Sequence, residues 1–304
     1  MKSSEFITEA QVKPYKSKSL NLNAAMKLLN QHCRQSLAMI RNPIWRGMDN
    51  HSADILTIDP TTGERKSENT TNYYTQLMSY SPYFEGWPKR NKSLICTAQK
   101  EYAENYGGVD EVYAIFPFDN VPIAVCPEED MWATPVRVPA LDIVCDPEED
   151  VDITEFNKIL RYNLKLPENY KQMLNYVKTS EFAERLAQYR RTIPTENQKI
   201  PLSPETFIDY LQYCLSPKQC GFRLLSIAQY AAKPPIVEEC WIGGPVVAIR
   251  QDWYYQFLDA VSKNPQAAGH KPFTPPPKLE PAAPPITHIQ DYGSPFDGGE
   301  DVDY

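Results

Sequence analysis

A chain of 304 residues with 42% hydrophobic and 23% charged residues can bury one large core or two modest ones. Its net charge of −8 argues against a general nucleic-acid binder, which would offer phosphates a basic face. No apolar run reaches the roughly 18 residues that span a bilayer, the seven cysteines form no C-x-x-C pair, and only four histidines are present, so no membrane segment, disulfide framework or metal site is expected.

In chain order, "MKSSEFITEA" at 1–10 makes one short amphipathic turn around Phe6 and Ile7 and is too polar for a secretory core. Residues 10–20 read as a polar linker. Leu22, Met26, Leu29, Cys33, Leu37 and Ile40 recur at three- and four-residue spacing, which predicts a helix over 21–40, ended by Asn42-Pro43. Residues 43–148 have an α+β texture. "PIWRGM" and "KSLICT" read as strands, and "AQKEYAENYG" as a helix stopped by Gly107 and Gly108. "EVYAIFPF" and "VPIAVC" read as two strands split by Asp119-Asn120. The basic stretches "WPKRNK" at 87–92 and "YRR" at 189–191 read as solvated surface.

From 151 to 232 the period turns helical, and "SPETFIDYLQYCL" opens with Ser203 placed to cap and Pro204 at the first helical position. "ECWIGGPVVAIR" then reads as a late strand and "DWYYQFLDAV" as an aromatic helix. A wholly helical second domain would have no use for that strand, so it should pair back into the first sheet, with 151–232 an insertion in one domain spanning 21–262. Residues 263–304 carry nine prolines and end in Asp291, Asp297, Glu300, Asp301 and Asp303. Such a tail cannot bury enough apolar area to offset its ordering entropy, and disorder is expected.

No phosphate-binding glycine loop, nucleophile elbow or H-E-x-x-H is present. What remains is an ordered set: Arg46-Gly47 ending a strand, Ser93 and Thr97 bounding the next, the helix that follows, and Glu238-Glu239 opening the late strand. Singly, each has a plain structural role: a surface ion pair for the Arg, a strand start for Ser93, a packed ring for Tyr102, edge protection for the acids.

In this order, "WRG" at 45–47, "SLICTAQKEYAENYG" at 93–107 and "EECWIGG" at 238–244 resemble the ADP-ribosyltransferase fold of the Arg-Ser-Glu type. The resemblance covers roughly 21–130 and 236–262. It implies an α+β fold with a split two-sheet core, NAD as substrate, no metal, and catalytic Arg46, Ser93 and Glu239. Breaking the nicotinamide–ribose bond builds oxocarbenium character, which a carboxylate bonded to the ribose 2′-OH stabilises; Glu239 would fill that role. Arg46 would meet the pyrophosphate with two parallel hydrogen bonds. Gly47 and Thr97 would line the NAD site, and Tyr73, Tyr74 or Tyr102 would stack on nicotinamide.

The sequence also departs from the pattern. The Ser-Thr-Ser run is replaced by Ser93-Leu-Ile-Cys-Thr97, Val237 stands two residues before Glu239, and Glu128, Glu129 and Asp130 form a rival acid cluster beside Glu238. The first ten residues resemble the capsid-targeting leader of internal head proteins of large tailed bacteriophages. That likeness implies cleavage by the head-maturation protease between Glu9 and Ala10, packaging in the virion head, and delivery to the host cytoplasm. Together the two resemblances imply an injected mono-ADP-ribosyltransferase acting on a host protein. The alternatives are a non-catalytic virion protein that keeps the fold, and an NAD hydrolase.

Overall fold

The computed structural model describes residues 9–48, 53–67, 71–108, 111–146, 153–235 and 239–263. The expectations for the leader 1–8, Glu238 and the tail from 264 onward lie outside the described residues.

The first half runs β1 (Glu9–Lys13), β2 (Lys16–Ser19), α1 (Leu22–His32), β3 (Ile44–Gly47), β4 (Ile55–Asp59), β5 (Glu64–Ser67), α2 (Tyr73–Ser79), β6 (Leu94–Thr97), α3 (Lys100–Gly107), β7 (Val112–Pro117), β8 (Ile123–Val125), β9 (Val136–Val138) and β10 (Ile143–Cys145). A helical block follows: α4 (Ile153–Lys158), extended by a wider turn over Ile159–Asn163, then α5 (Tyr170–Tyr176), α6 (Ser180–Arg190), α7 (Thr195–Gln198), α8 (Phe207–Cys214) and α9 (Pro217–Cys220). Next come β11 (Arg223–Leu225), α10 (Ile227–Ala232), β12 (Glu239–Ile242), β13 (Val246–Arg250) and α11 (Gln251–Lys263).

Local chemistry sets several boundaries. Asn21 caps α1 by accepting from the Ala24 amide at 2.9 Å. The helix stops at His32 instead of running to Ile40, because the Gln35 amide donates to Asp119 at 2.8 Å and the Ser36 hydroxyl to the Pro117 carbonyl. Gly108, at φ 77°, ends α3 in the left-handed region that glycine occupies without strain. The cap expected at Ser203 is not formed: Ser203 to Thr206 make a turn, the Ser203 amide donates to Thr206 Oγ1 at 3.2 Å, and α8 starts at Phe207.

Nine strands form one antiparallel sheet in the order β11-β8-β12-β6-β3-β7-β13-β4-β2, with β1-β5 and β9-β10 as separate two-stranded ribbons. The fold is therefore α+β. Three expectations are corrected. Residues 10–20 are not a linker, since they supply most of β1 and the whole of β2, and β2 pairs with β4 from Lys16–Asp59 to Ser19–Leu56. "ECWIGGPVVAIR" is two strands, divided at Gly243-Gly244-Pro245, and β6, β3 and β7 lie between them. Finally, the pairing is continuous where two sheets were expected, although its narrowest joint, β3 to β6, consists of Trp45 opposite Thr97 alone. β12 returns to the sheet between β8 and β6, but the chain already rejoins it at β11, which pairs with β8, so the excursion is α4–α9 and not the whole of 151–232.

Alternation sorts the side chains into two faces. On one face Ile95, Ala124 and Trp241 pack with Phe156, Phe182 and Phe207 of the helical block. Farther along that face Trp45, Ala114, Phe116 and Val247 pack with Leu29 of α1, Ala103 of α3 and Tyr254 of α11. The opposite face carries Ile44, Leu94, Cys96, Ile115, Cys240 and Ala248 against Met39 and against Ile227 and Tyr230 of α10. With both faces covered, the central strands read as continuous apolar runs without visible alternation.

Candidate functional site

Three strands from distant parts of the chain, β3, β6 and β12, lie side by side and bring the Arg, Ser/Thr and Glu segments together. Thr97 sits opposite Trp45 on one side and Glu239 on the other. The Glu239 amide donates to the Glu128 carbonyl and its carbonyl accepts from the Cys126 amide, both at 2.9 Å, so its backbone groups face away from β6. By antiparallel alternation the backbone groups of Thr97 and Ile95 then face β3. Beyond the Trp45–Thr97 pair the Ile95 carbonyl takes the Arg46 guanidinium, from Nη1 at 2.8 Å, where a continued ladder would set Gly47. The guanidinium thus fills the place where β3 and β6 part.

Arg46, half-buried, departs from the face carrying Ile44, whereas Thr97 and Glu239 lie on the face of Trp45 and Trp241. Arg46 and the Thr97–Glu239 pair therefore flank one strand junction from opposite faces and do not line a single wall, and Ser93, the third catalytic group expected, is not part of the junction. Burial pushes the Cys96 thiol up to about 12, the Arg46 and Arg65 guanidinia pull it down, and Glu239 adds to the rise.

Glu239 is only 3% exposed. Its Oε1 accepts from Arg90 Nε at 3.3 Å, from Nη2 at 3.2 Å, and from the Trp241 indole; Oε2 accepts from Nη2 and from the Met131 amide, each at 3.4 Å. Arg90, 5% exposed, lies 5.9 Å from the ring centroids of both Trp132 and Trp241. A carboxylate taken out of water needs such partners, because the desolvation cost of an unpaired buried charge is several kcal/mol. The rival acids have other work: Glu128 gives the carbonyl that holds the Glu239 amide, Asp130 caps the turn at Met131–Ala133 through the Trp132 amide at 3.0 Å, and Glu129 accepts the Tyr102 hydroxyl, which raises that phenol above its ordinary range.

Other expected groups stand elsewhere. The Ser93 hydroxyl donates to the Lys89 carbonyl at 2.8 Å and closes the turn presenting Arg90, so its work here is structural. Tyr73 and Tyr74 are 1% and 0% exposed within the helical core, Tyr73 bonding the Leu166 carbonyl, and neither is open to stack on a ring. Thr97 occupies the position opposite Glu239 instead, and its Oγ1 accepts the Gln99 amide at 3.1 Å. Glu9 and Ala10 pair with Ser67 and Lys66 in the β1-β5 ribbon. "WPKRNK" is not a solvated patch throughout, since Arg90 is the buried partner of Glu239. The one sequence hint was its place between Trp87-Pro88 and an apolar strand.

Among the described residues no group of three or more His, Cys, Asp or Glu side chains could hold a metal ion. Comparison with family models, with curated proteins and with solved structures finds no match to this chain.

Proposed function

We propose that the protein is an ADP-ribosyltransferase of the Arg-Ser-Glu type, packaged in a phage head and delivered to act on a host protein. One observation carries the enzymatic part: strands distant in sequence become neighbours and set Glu239 opposite Thr97 beside the opening that Arg46 fills. In this reading the bond between nicotinamide and the ribose C1 breaks, and nicotinamide leaves with the electron pair. Glu239 stabilises the positive charge left on the ribose through its 2′-OH, the acceptor side chain bonds C1, and that side chain gives up its proton to water. To meet the pyrophosphate Arg46 would have to release the Ile95 carbonyl and turn to the face of Glu239. Thr97 takes the hydroxyl position first assigned to Ser93. Because Glu239 is covered, NAD can reach it only when part of that cover moves.

The test is incubation of the chain with labelled NAD and bacterial lysate. Label should pass to protein, and Glu239→Gln or Arg46→Ala should cut transfer roughly 100-fold or more. Absence of both transfer and thermal protection by NAD would refute it. A second reading, a non-catalytic virion protein retaining the fold, is favoured by the engagement of the Glu239 carboxylate with Arg90; NAD binding without transfer would select it. The packaging part rests on the leader's resemblance, and virion-derived protein beginning at Met1 instead of Ala10 would refute it.

A further inference from the structure

We propose that Arg90 is the positioning residue of the Glu239 carboxylate, acting through that group and not on the dinucleotide. This rests on the transferase reading. The guanidinium reaches both carboxylate oxygens, and its planar fork fixes the carboxylate's tilt as a single ammonium could not. The Trp241 indole and Met131 amide complete the shell, one on each oxygen. Arg90 is itself held from three sides. Trp132 and Trp241 flank it, the Ser93 hydroxyl closes the turn behind it, and the preceding Lys89 lies 5.6 Å from the ring centroid of Tyr80, which stacks on Tyr170 at 4.5 Å. Pro88 abuts Gly243, just past the end of the strand that carries Glu239. A side chain so constrained, with its guanidinium already engaged by both carboxylate oxygens, is suited to orient another.

The experiment uses the full chain with Arg90→Met, Arg90→Lys, Glu239→Gln and the Arg90→Met/Glu239→Gln double variant. Measured per folded molecule, Arg90→Met should lower kcat for ADP-ribosyl transfer by roughly 10- to 100-fold with KM within about threefold, and Arg90→Lys should recover part of the loss. Unchanged kcat would make Arg90 merely structural, and a raised KM with kcat intact would make it a ligand contact; either overturns the proposal. Should the wild type transfer nothing, the transferase reading fails by itself, and the orienting contact is read independently from the near-ultraviolet circular dichroism of the indoles. Each single variant should then change that signal and lower the unfolding midpoint, and the double variant should restore much of the midpoint. Strictly additive losses would overturn the pairing.

Discussion

Gly243→Ala tests the close packing beneath the site. A Cβ at Gly243 would lie 2.7 Å from Pro88 Cβ and 3.0 Å from Pro88 Cα. Ordinary contact begins near 3.4 Å, so the neighbour would have to give by about 0.7 Å. Pro88 cannot swing away as a flexible side chain would, and its movement would pull on the turn carrying Arg90. Overpacking of this kind costs about 1–3 kcal/mol, or roughly 2–10 °C of unfolding midpoint for a chain of this size. Gly86→Ala is the comparison, because Gly86 has φ 78° and nothing within 4 Å of the added carbon, leaving only left-handed backbone strain of about 1 kcal/mol. Calorimetry on both should rank Gly243→Ala as the more damaging, with a change in indole circular dichroism for that variant alone. The reverse ranking, or a midpoint within about 1 °C of wild type for Gly243→Ala, would refute the close-approach reasoning.

Three further outcomes are expected. All seven cysteines are buried, so the folded chain at pH 8 should react negligibly with an aromatic disulfide reagent and the unfolded chain should titrate all seven; a thiol reacting within seconds would contradict this. Burial raises Tyr73 and Tyr189 from 10 to about 12 and Cys214 and Cys220 from 9 to about 12. Between those values the unfolded chain has released protons that the folded chain keeps. Stability should therefore be intact below pH 9 and fall as pH rises toward 12; an unfolding midpoint constant from pH 8 to 10.5 would be inconsistent with it. Arg190 donates to the Leu202 carbonyl at 3.2 Å and to those of Asn197, Gln198 and Ile200, the first of these three at 3.4 Å. Arg190→Met should strip those donors and cost about 1–3 kcal/mol in chemical unfolding, and a neutral result would show that water replaces them.

Legibility followed the range of the physics. Glycine after α3 and the apolar strands around Arg46, Cys96 and Ile115 are local signals, visible without coordinates. Strand pairing was not. The Asp119-Asn120 turn suggests a hairpin, but β7 and β8 end up separated by β3, β6 and β12, since the turn residues fix a change of direction and not a partner. The polar stretch 10–20 gave no strand signal because an outer strand is held by backbone bonds to β4 and needs no apolar side chains. Arg90 was hidden for a similar reason: a charged residue in a basic run reads as surface until the carboxylate that neutralises it, 149 residues away, is in view.

The sequence by itself determined the α+β composition, a helical excursion before the returning strand, and the three segments that would matter if they met. Only the tertiary structure decided that Thr97, not Ser93, faces Glu239, that Arg46 fills the parting of two strands, and that Glu239 is covered and held by Arg90. Side-chain alternation and hydrogen-bond register are properties of strand pairs, and a pair exists only once the chain has brought distant segments together.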